Sequence, residues 1–241
     1  MIRTENLSKA FKDIKAVNDV SFSVENGEIV GLLGENGAGK TTTLRMLATM
    51  LKPTGGTAYV NGYDIIKQPE KVRREIGILF GGEVGLYDRL TARENIEYFA
   101  QLNGMSKAEM DESVMHLIKE FQMEEYIDKR VGTFSRGMKQ RVAISRSIVH
   151  KPTVMLFDEP TIGLDVTAAK IVHDFIMGCK QEGRAIIFSS HSMQEVEKLC
   201  DRIIIIHKGS IIDQGTIEYF KEKYKKDDME DIFIGLVGDN R

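Results

Sequence analysis

The chain has 241 residues, 42% hydrophobic and 29% charged, long enough for one large or two small domains with a buried core. Its formal net charge of −3, without a long single-sign block, gives no electrostatic footprint for nucleic acid. Two cysteines without metal-ligand spacing fit a reducing cytosol, and the longest purely aliphatic run, 203–206, falls far short of the about 20 apolar residues of a membrane span.

The opening stretch MIRTENLSKAF lacks the apolar segment of a secretion signal, so any membrane pore served here is expected in another polypeptide. Val20, Phe22 and Val24 then alternate with Ser21, Ser23 and Glu25, the period of a half-buried strand. Asn26-Gly27 follows and predicts a hairpin turn, because both residues tolerate positive φ, and Asn61-Gly62 repeats the signal after Tyr59-Val60. A small antiparallel layer is expected near the N-terminus. Short continuous apolar runs at 29–33, 77–80, 154–157, 185–188 and 203–206 read instead as parallel strands covered on both faces. Between about 86 and 150 the pattern turns helical. Thr91/Glu94 and Ser106/Glu109 are capping-box pairs, and Met110, Val114, Leu117 and Phe121 share one helix face. A third helix is expected from near Gly137 to His150, ended by Lys151-Pro152. Further on, Ile171, Val172, Phe175 and Ile176 form a stripe stopped by Gly183, and Ser192 with Glu195 reads as another capping box ahead of Val196, Leu199 and Cys200. Strand and helix alternate, so the expected fold is α/β with a mostly parallel sheet and right-handed crossovers, an N-terminal antiparallel β subdomain and an inserted α-helical subdomain. The expected division is one domain over 1–217 and a short extension over 218–241, polar and patternless apart from 232–237.

Gly34-Glu35-Asn36-Gly37-Ala38-Gly39-Lys40-Thr41 fits the GxxxxGK[ST] phosphate loop. Its backbone N–H groups can turn around an anion at the positive end of the following helix. Lys40 is then the group that reaches the β- and γ-phosphates, the Thr41 hydroxyl binds Mg²⁺, and ATP contacts are expected through Thr42. The rival reading is a plain glycine-rich strand–helix turn. An apolar strand before the motif and Leu44, Leu47 and Leu51 after it favour the phosphate loop. Asp158-Glu159 ends an apolar strand, at the edge where open α/β sheets bind ligands. Asp158 can hold Mg²⁺, directly or through water, and Glu159 can orient and polarise an attacking water. By itself the pair also fits a solvated turn before Pro160; beside a phosphate loop the catalytic reading is preferred. His191 follows the next strand and can hydrogen-bond a γ-phosphate or the water, or else is simply a surface residue. Ser135 reads first as a helix N-cap, and alternatively, with the Gly137 N–H, as a second phosphate site. Phe11 either stacks on adenine or belongs to the core.

In this order the segments resemble the ATP-binding subunit of ABC transporters, over residues 2 to about 215. Residues 34–41 match its Walker A motif, VMLFDEP its Walker B, and FSRGMKQ a variant of its LSGGQ signature; Gly163-Leu164-Asp165 resembles the D-loop and Ser190-His191 the switch histidine. Phe11 falls where that family places its adenine-stacking aromatic. The resemblance implies a P-loop NTPase core, ATP hydrolysis with Mg²⁺, and a dimer of two copies in which Ser135 and Gly137 reach the other copy's nucleotide. It also implies a separate membrane permease, with this chain on the cytoplasmic face of the membrane and no nucleic-acid partner. One departure stands out. The family usually has glutamine after the strand at 77–80, whereas this chain reads Phe80-Gly81-Gly82-Glu83, so Glu83 is expected to substitute by accepting Mg²⁺ or water contacts. The phrases ILFGGEVGLYDRLTARENIEYF and FSRGMKQRVAI are similar to ATPase subunits that drive sodium extrusion. Export of another substrate such as a drug is the alternative. A soluble ATPase acting on the ribosome or DNA is disfavoured, because such relatives usually carry two domains or long coiled coils. A binding module that barely hydrolyses ranks below it, since Glu159 and His191 match the active pattern.

Overall fold

The computed structural model describes residues 1–81 and 85–238. The chain opens with β1 (Ile2–Phe11), β2 (Ile14–Val20) and β3 (Ser23–Val24), then continues through β4 (Ile29–Leu33) and helix α1 (Lys40–Leu47). It continues as β5 (Gly55–Val60) and β6 (Tyr63–Asp64), followed by α2 (Pro69–Glu75) and β7 (Ile76–Phe80). The inserted helices are α3 (Ala92–Leu102), α4 (Lys107–Glu120) and α5 (Arg136–Ile148). The remainder alternates: β8 (Val154–Asp158), α6 (Val166–Gln181), β9 (Ala185–Ser189), α7 (Met193–Leu199), β10 (Arg202–His207), β11 (Ser210–Gly215), and lastly α8 (Ile217–Tyr224) and α9 (Met229–Gly238).

The main sheet runs β11-β10-β4-β9-β8-β7, parallel except for the β10–β11 hairpin. Its strands are the continuous apolar runs of the sequence, and alternate residues feed two cores. Ile29, Leu33, Phe157, Phe188 and Ile205 face the helical side; Val30, Leu32, Leu156, Ile187 and Ile206 pack with α1 and the N-terminal layer. That layer is antiparallel, in the order β2-β1-β5-β6 with β3 also on β1, and Val20, Phe22 and Val24 are buried as their alternation required.

The two Asn-Gly signals have different outcomes. Asn61 and Gly62 take φ of 48° and 81° and join β5 to β6 with Val60 opposite Tyr63, a true hairpin. Asn26-Gly27 does not make one. Of the two only Gly27 has a positive φ, 75°, and the turn hands the chain from one sheet to the other. Both edges of β4 are taken by β9 and β10, so burial of an apolar strand on both faces overrides the local turn preference. In the helical insertion both expected capping boxes form, at Thr91 and at Ser106.

The stretch after Thr216, which carries little pattern in sequence, folds as two helices. Thr216 caps α8 by accepting from the Tyr219 N–H, and Asp213 on β11 binds Lys223 and the Tyr224 hydroxyl, each at 2.7 Å. Phe220, Met229 and Ile232 thereby complete the helix-side core. Phe220→Ala is expected to cost about 3–5 kcal/mol of stability. The measurement is a urea titration: the midpoint falls with the slope unchanged, and an unmoved midpoint would show that α8 contributes nothing to the core.

Candidate active site

Strands β4, β9 and β8 are neighbours and parallel, so the loops leaving their carboxyl ends stand side by side. Those loops carry the phosphate-loop motif, His191 and Glu159 respectively. In the first, Glu35, Asn36 and Gly37 are exposed, Gly34, Ala38, Gly39 and Lys40 are buried, and Thr41 and Thr42 are half-buried. Gly39 starts α1 at φ 113°, where an added Cβ would lie 2.6 Å from the Ala16 carbonyl oxygen, so only glycine fits there. Lys40 Nζ donates to the Gly34 carbonyl at 2.6 Å and lies 3.7 Å from Glu159 Oε1. On the other side of that carboxylate, His191 Nδ1 is 3.3 Å from Oε2. Lys40, Glu159 and His191 thus converge from three strands.

The acidic pair is held by a serine absent from the sequence-based site. Ser189 Oγ donates to buried Asp158 Oδ1 at 2.7 Å, and the Glu159 N–H donates to Ser189 O and Oγ, both at 3.0 Å. These two bonds secure Glu159 in the left-handed region, φ 48°, which a non-glycine residue adopts only under constraint. The solvated-turn reading of Asp158 is excluded by its burial. The segment after β7 meets the same loop: the Gly81 N–H donates to the Asp158 carbonyl at 2.8 Å. A Cβ on Gly81 would fall 1.7 Å from the Glu159 carbonyl oxygen, which gives glycine at 81 a steric reason. Glu83 lies outside the described residues.

Ser135 and Gly137 sit at the start of α5, where exposed Ser135 does act as N-cap, accepting from the Met138 N–H at 3.3 Å. The neighbouring Arg136 guanidinium reaches the Gly163 carbonyl at 2.7 Å. Phe11 is not a core residue: it is 47% exposed at the end of β1, with Lys9 Nζ 5.1 Å from the ring centre. The cysteines are packing groups, since burial pushes the Cys179 thiol up to about 12 and raises that of Cys200 as well.

The Ser192–Glu195 capping box is only half formed. Ser192 Oγ accepts from the Glu195 N–H at 3.4 Å, but the return bond is absent: the Ser192 N–H goes to Ser190 Oγ at 3.0 Å. The Glu195 carboxylate turns instead to Ser190 Oγ at 2.8 Å and His173 Nε2 at 2.9 Å. Burial raises the pKa of this carboxyl, and its hydrogen bonds outweigh that, holding Glu195 below the ordinary carboxylate range. Nothing in residue spacing marks Ser189, Gly81 or this use of Glu195.

A groove of about 750 Å³ lies between α2, β7, α3 and α5, lined among others by Met50, Arg73, Phe80, Gly85 and Leu102. Met50 and Leu102 are 59% and 63% exposed, an apolar lip on a basic wall. Among the described residues no helix is long and apolar enough to cross a membrane.

A strand, a glycine-bearing loop and a helix whose buried lysine faces an acidic strand end define a P-loop nucleotide-hydrolysing site. Comparisons with known proteins carry this further. The profile of the ABC transporter family matches residues 17–162. The chain is 49% identical to the ABC transporter ATP-binding protein NatA of Bacillus subtilis (strain 168), over 98% of each chain. It is 37% identical to the linearmycin resistance ATP-binding protein LnrL of the same organism, over 90% of this chain and 69% of that one. Among solved structures, an ATP-binding subunit of an ABC transporter matches with a TM-score of 0.87 and 30% identity, covering 98% of this chain and 99% of that one. A dimeric ATP-binding cassette in a post-hydrolysis state with ADP and phosphate matches with a TM-score of 0.78 and 26% identity, over 90% and 98%. The chain belongs to the ABC transporter family as an ATP-binding subunit, and it is an ATPase.

Because the Gly81 contact is backbone against backbone, a methyl group there must displace the loop of Glu159. Gly81→Ala is expected to lower ATP turnover about 10- to 100-fold with ATP affinity retained. Steady-state ATPase and nucleotide-binding titrations check this, and wild-type turnover in the variant would remove Gly81 from any role in placing the acid.

Proposed function

We propose that this chain energises sodium efflux through a separate membrane permease, working on the cytoplasmic face as a dimer that closes around ATP. The observation that carries the hydrolytic part is the convergence of Lys40, Glu159 and His191 on one sheet edge. In this reading the phosphate-loop amides of 34–42 hold the nucleotide phosphates, and Lys40 exchanges its Gly34 and Glu159 contacts for phosphate oxygens. The Thr41 hydroxyl and the buried Asp158 carboxylate are hard oxygen donors, suited to Mg²⁺, which takes one or two protein oxygens and completes its shell with phosphate and water. Bound there, the ion neutralises charge on the transferring phosphoryl group. Glu159 orients the attacking water and His191 hydrogen-bonds the γ-phosphate or that water. We assign Glu83 an auxiliary contact to the ion or its water.

The rest of the site comes from a second copy. Ser135 stands exposed and Gly137 half-buried at a helix N-terminus, which suits contact with the partner copy's nucleotide, and the dimeric relative supports the arrangement. The exposed ring of Phe11 suits stacking on adenine. The groove beside Phe80 suits a docking element of the permease, because Gly81, the next residue, donates to the Asp158 carbonyl just before Glu159. Movement in the groove and at the nucleotide can thus be exchanged over a short path.

Sodium as cargo is supported by the segments at 78–99 and 134–144 and by 49% identity to NatA. Export of an antibiotic is the second reading, supported by the linearmycin resistance relative. Glu159→Gln is expected to bind ATP normally, lose turnover about 10²- to 10³-fold and accumulate as an ATP-bound dimer on size exclusion. Wild-type hydrolysis in that variant would take Glu159 out of its role. For the cargo, the chain reconstituted with its co-purifying permease in vesicles is expected to move sodium in an ATP-dependent way; a flux of linearmycin without sodium would assign the second reading.

A further inference from the structure

We propose that Glu195 is a positioning residue for hydrolysis, a carboxylate that fixes the spacing between Glu159 and His191. The inference rests on the roles given to those two residues above. Its carboxylate accepts from Ser190 Oγ at 2.8 Å, and Ser190 stands between Ser189, whose carbonyl and hydroxyl oxygens accept from the Glu159 N–H at 3.0 Å, and His191. A second contact, His173 on α6, anchors the same carboxylate, with both side chains only 15% exposed. Charge-assisted hydrogen bonds to a half-buried carboxylate are the stronger kind and resist rearrangement. His191, by contrast, is 63% exposed at its side chain, so its aim at Glu159 is set by the backbone of its loop and not by packing around the ring. Glu195 leaves its capping-box bond unmade to serve this junction, although a helix start gains from completing the box.

The test is a double-mutant cycle with a turnover readout. Glu195→Ala is expected to lower kcat about tenfold with ATP affinity unchanged, and Glu195→Gln, which keeps an acceptor for Ser190, to recover part of the loss. In a His191→Ala background, adding Glu195→Ala is expected to change kcat less than twofold, because no imidazole remains to be placed. His173→Ala is expected to give a smaller loss in the same direction. Losses that multiply in the double variant, or wild-type turnover in Glu195→Ala, would overturn the proposal. Should Glu195→Ala fail to fold in a urea titration, Glu195→Gln carries the same cycle. A His191→Ala variant with wild-type kcat is a separate result, read in a separate protein, and overturns the role of His191 itself along with any residue said to position it.

Discussion

The adjacency of β4, β9 and β8 is the constraint on which the site depends. Their parallel register sets Leu32 level with Ser189, and Ser189 level with Asp158. One or two residues further on, the strands release the phosphate loop, the histidine loop and the acid. A slip of one residue would turn Asp158 and Ser189 to the opposite face and part them. What prevents the slip is ordinary: every residue of these three strands is buried, and the alternating aliphatic and aromatic side chains fit two different cores. Packing in the middle of the sheet therefore positions chemistry at its edge.

Much of this was legible in the sequence, for reasons that can be named. Continuous apolar runs require cover on both faces, which identified the parallel strands; capping boxes at Thr91 and Ser106 are local and formed as read. The phosphate loop is legible because its chemistry needs consecutive residues. The failures share a cause. Asn26-Gly27 lost its hairpin to strand pairing from distant segments, and Glu195 left its capping box for partners on α6 and in the loop of His191. Ser189 entered the site because a hydroxyl on one strand happens to face an acid on the next. Such contacts depend on which strands become neighbours, and residue spacing does not record that.

The site combines rigid and open parts. Asp158, Ser189, Glu159 and the Gly81 backbone form a hydrogen-bonded set fixed by the sheet, the condition for holding a reacting geometry closely. Ser135, Phe11 and the His191 ring stand in solvent. An edge with a fixed interior and exposed outliers matches a catalyst completed by its ligand and a second copy. The departure at Gly81 also takes on a physical meaning: where a side chain would be expected to report on the acid loop, the main chain itself lies against it.

The strand that carries the phosphate loop, β4, lies early in the chain, yet both of its sheet partners are late ones, β9 and β10. During synthesis this apolar strand must wait, unpaired at both edges, until residues 185–207 have emerged. The helix-side core waits longer still, for Phe220 and Ile232. Contacts of such long sequence separation fold slowly and leave sticky surface open meanwhile. A growing chain of this protein is thus a natural client for chaperones. The strand that bears the phosphate loop has no neighbours in its sheet before β9 and β10 have been made.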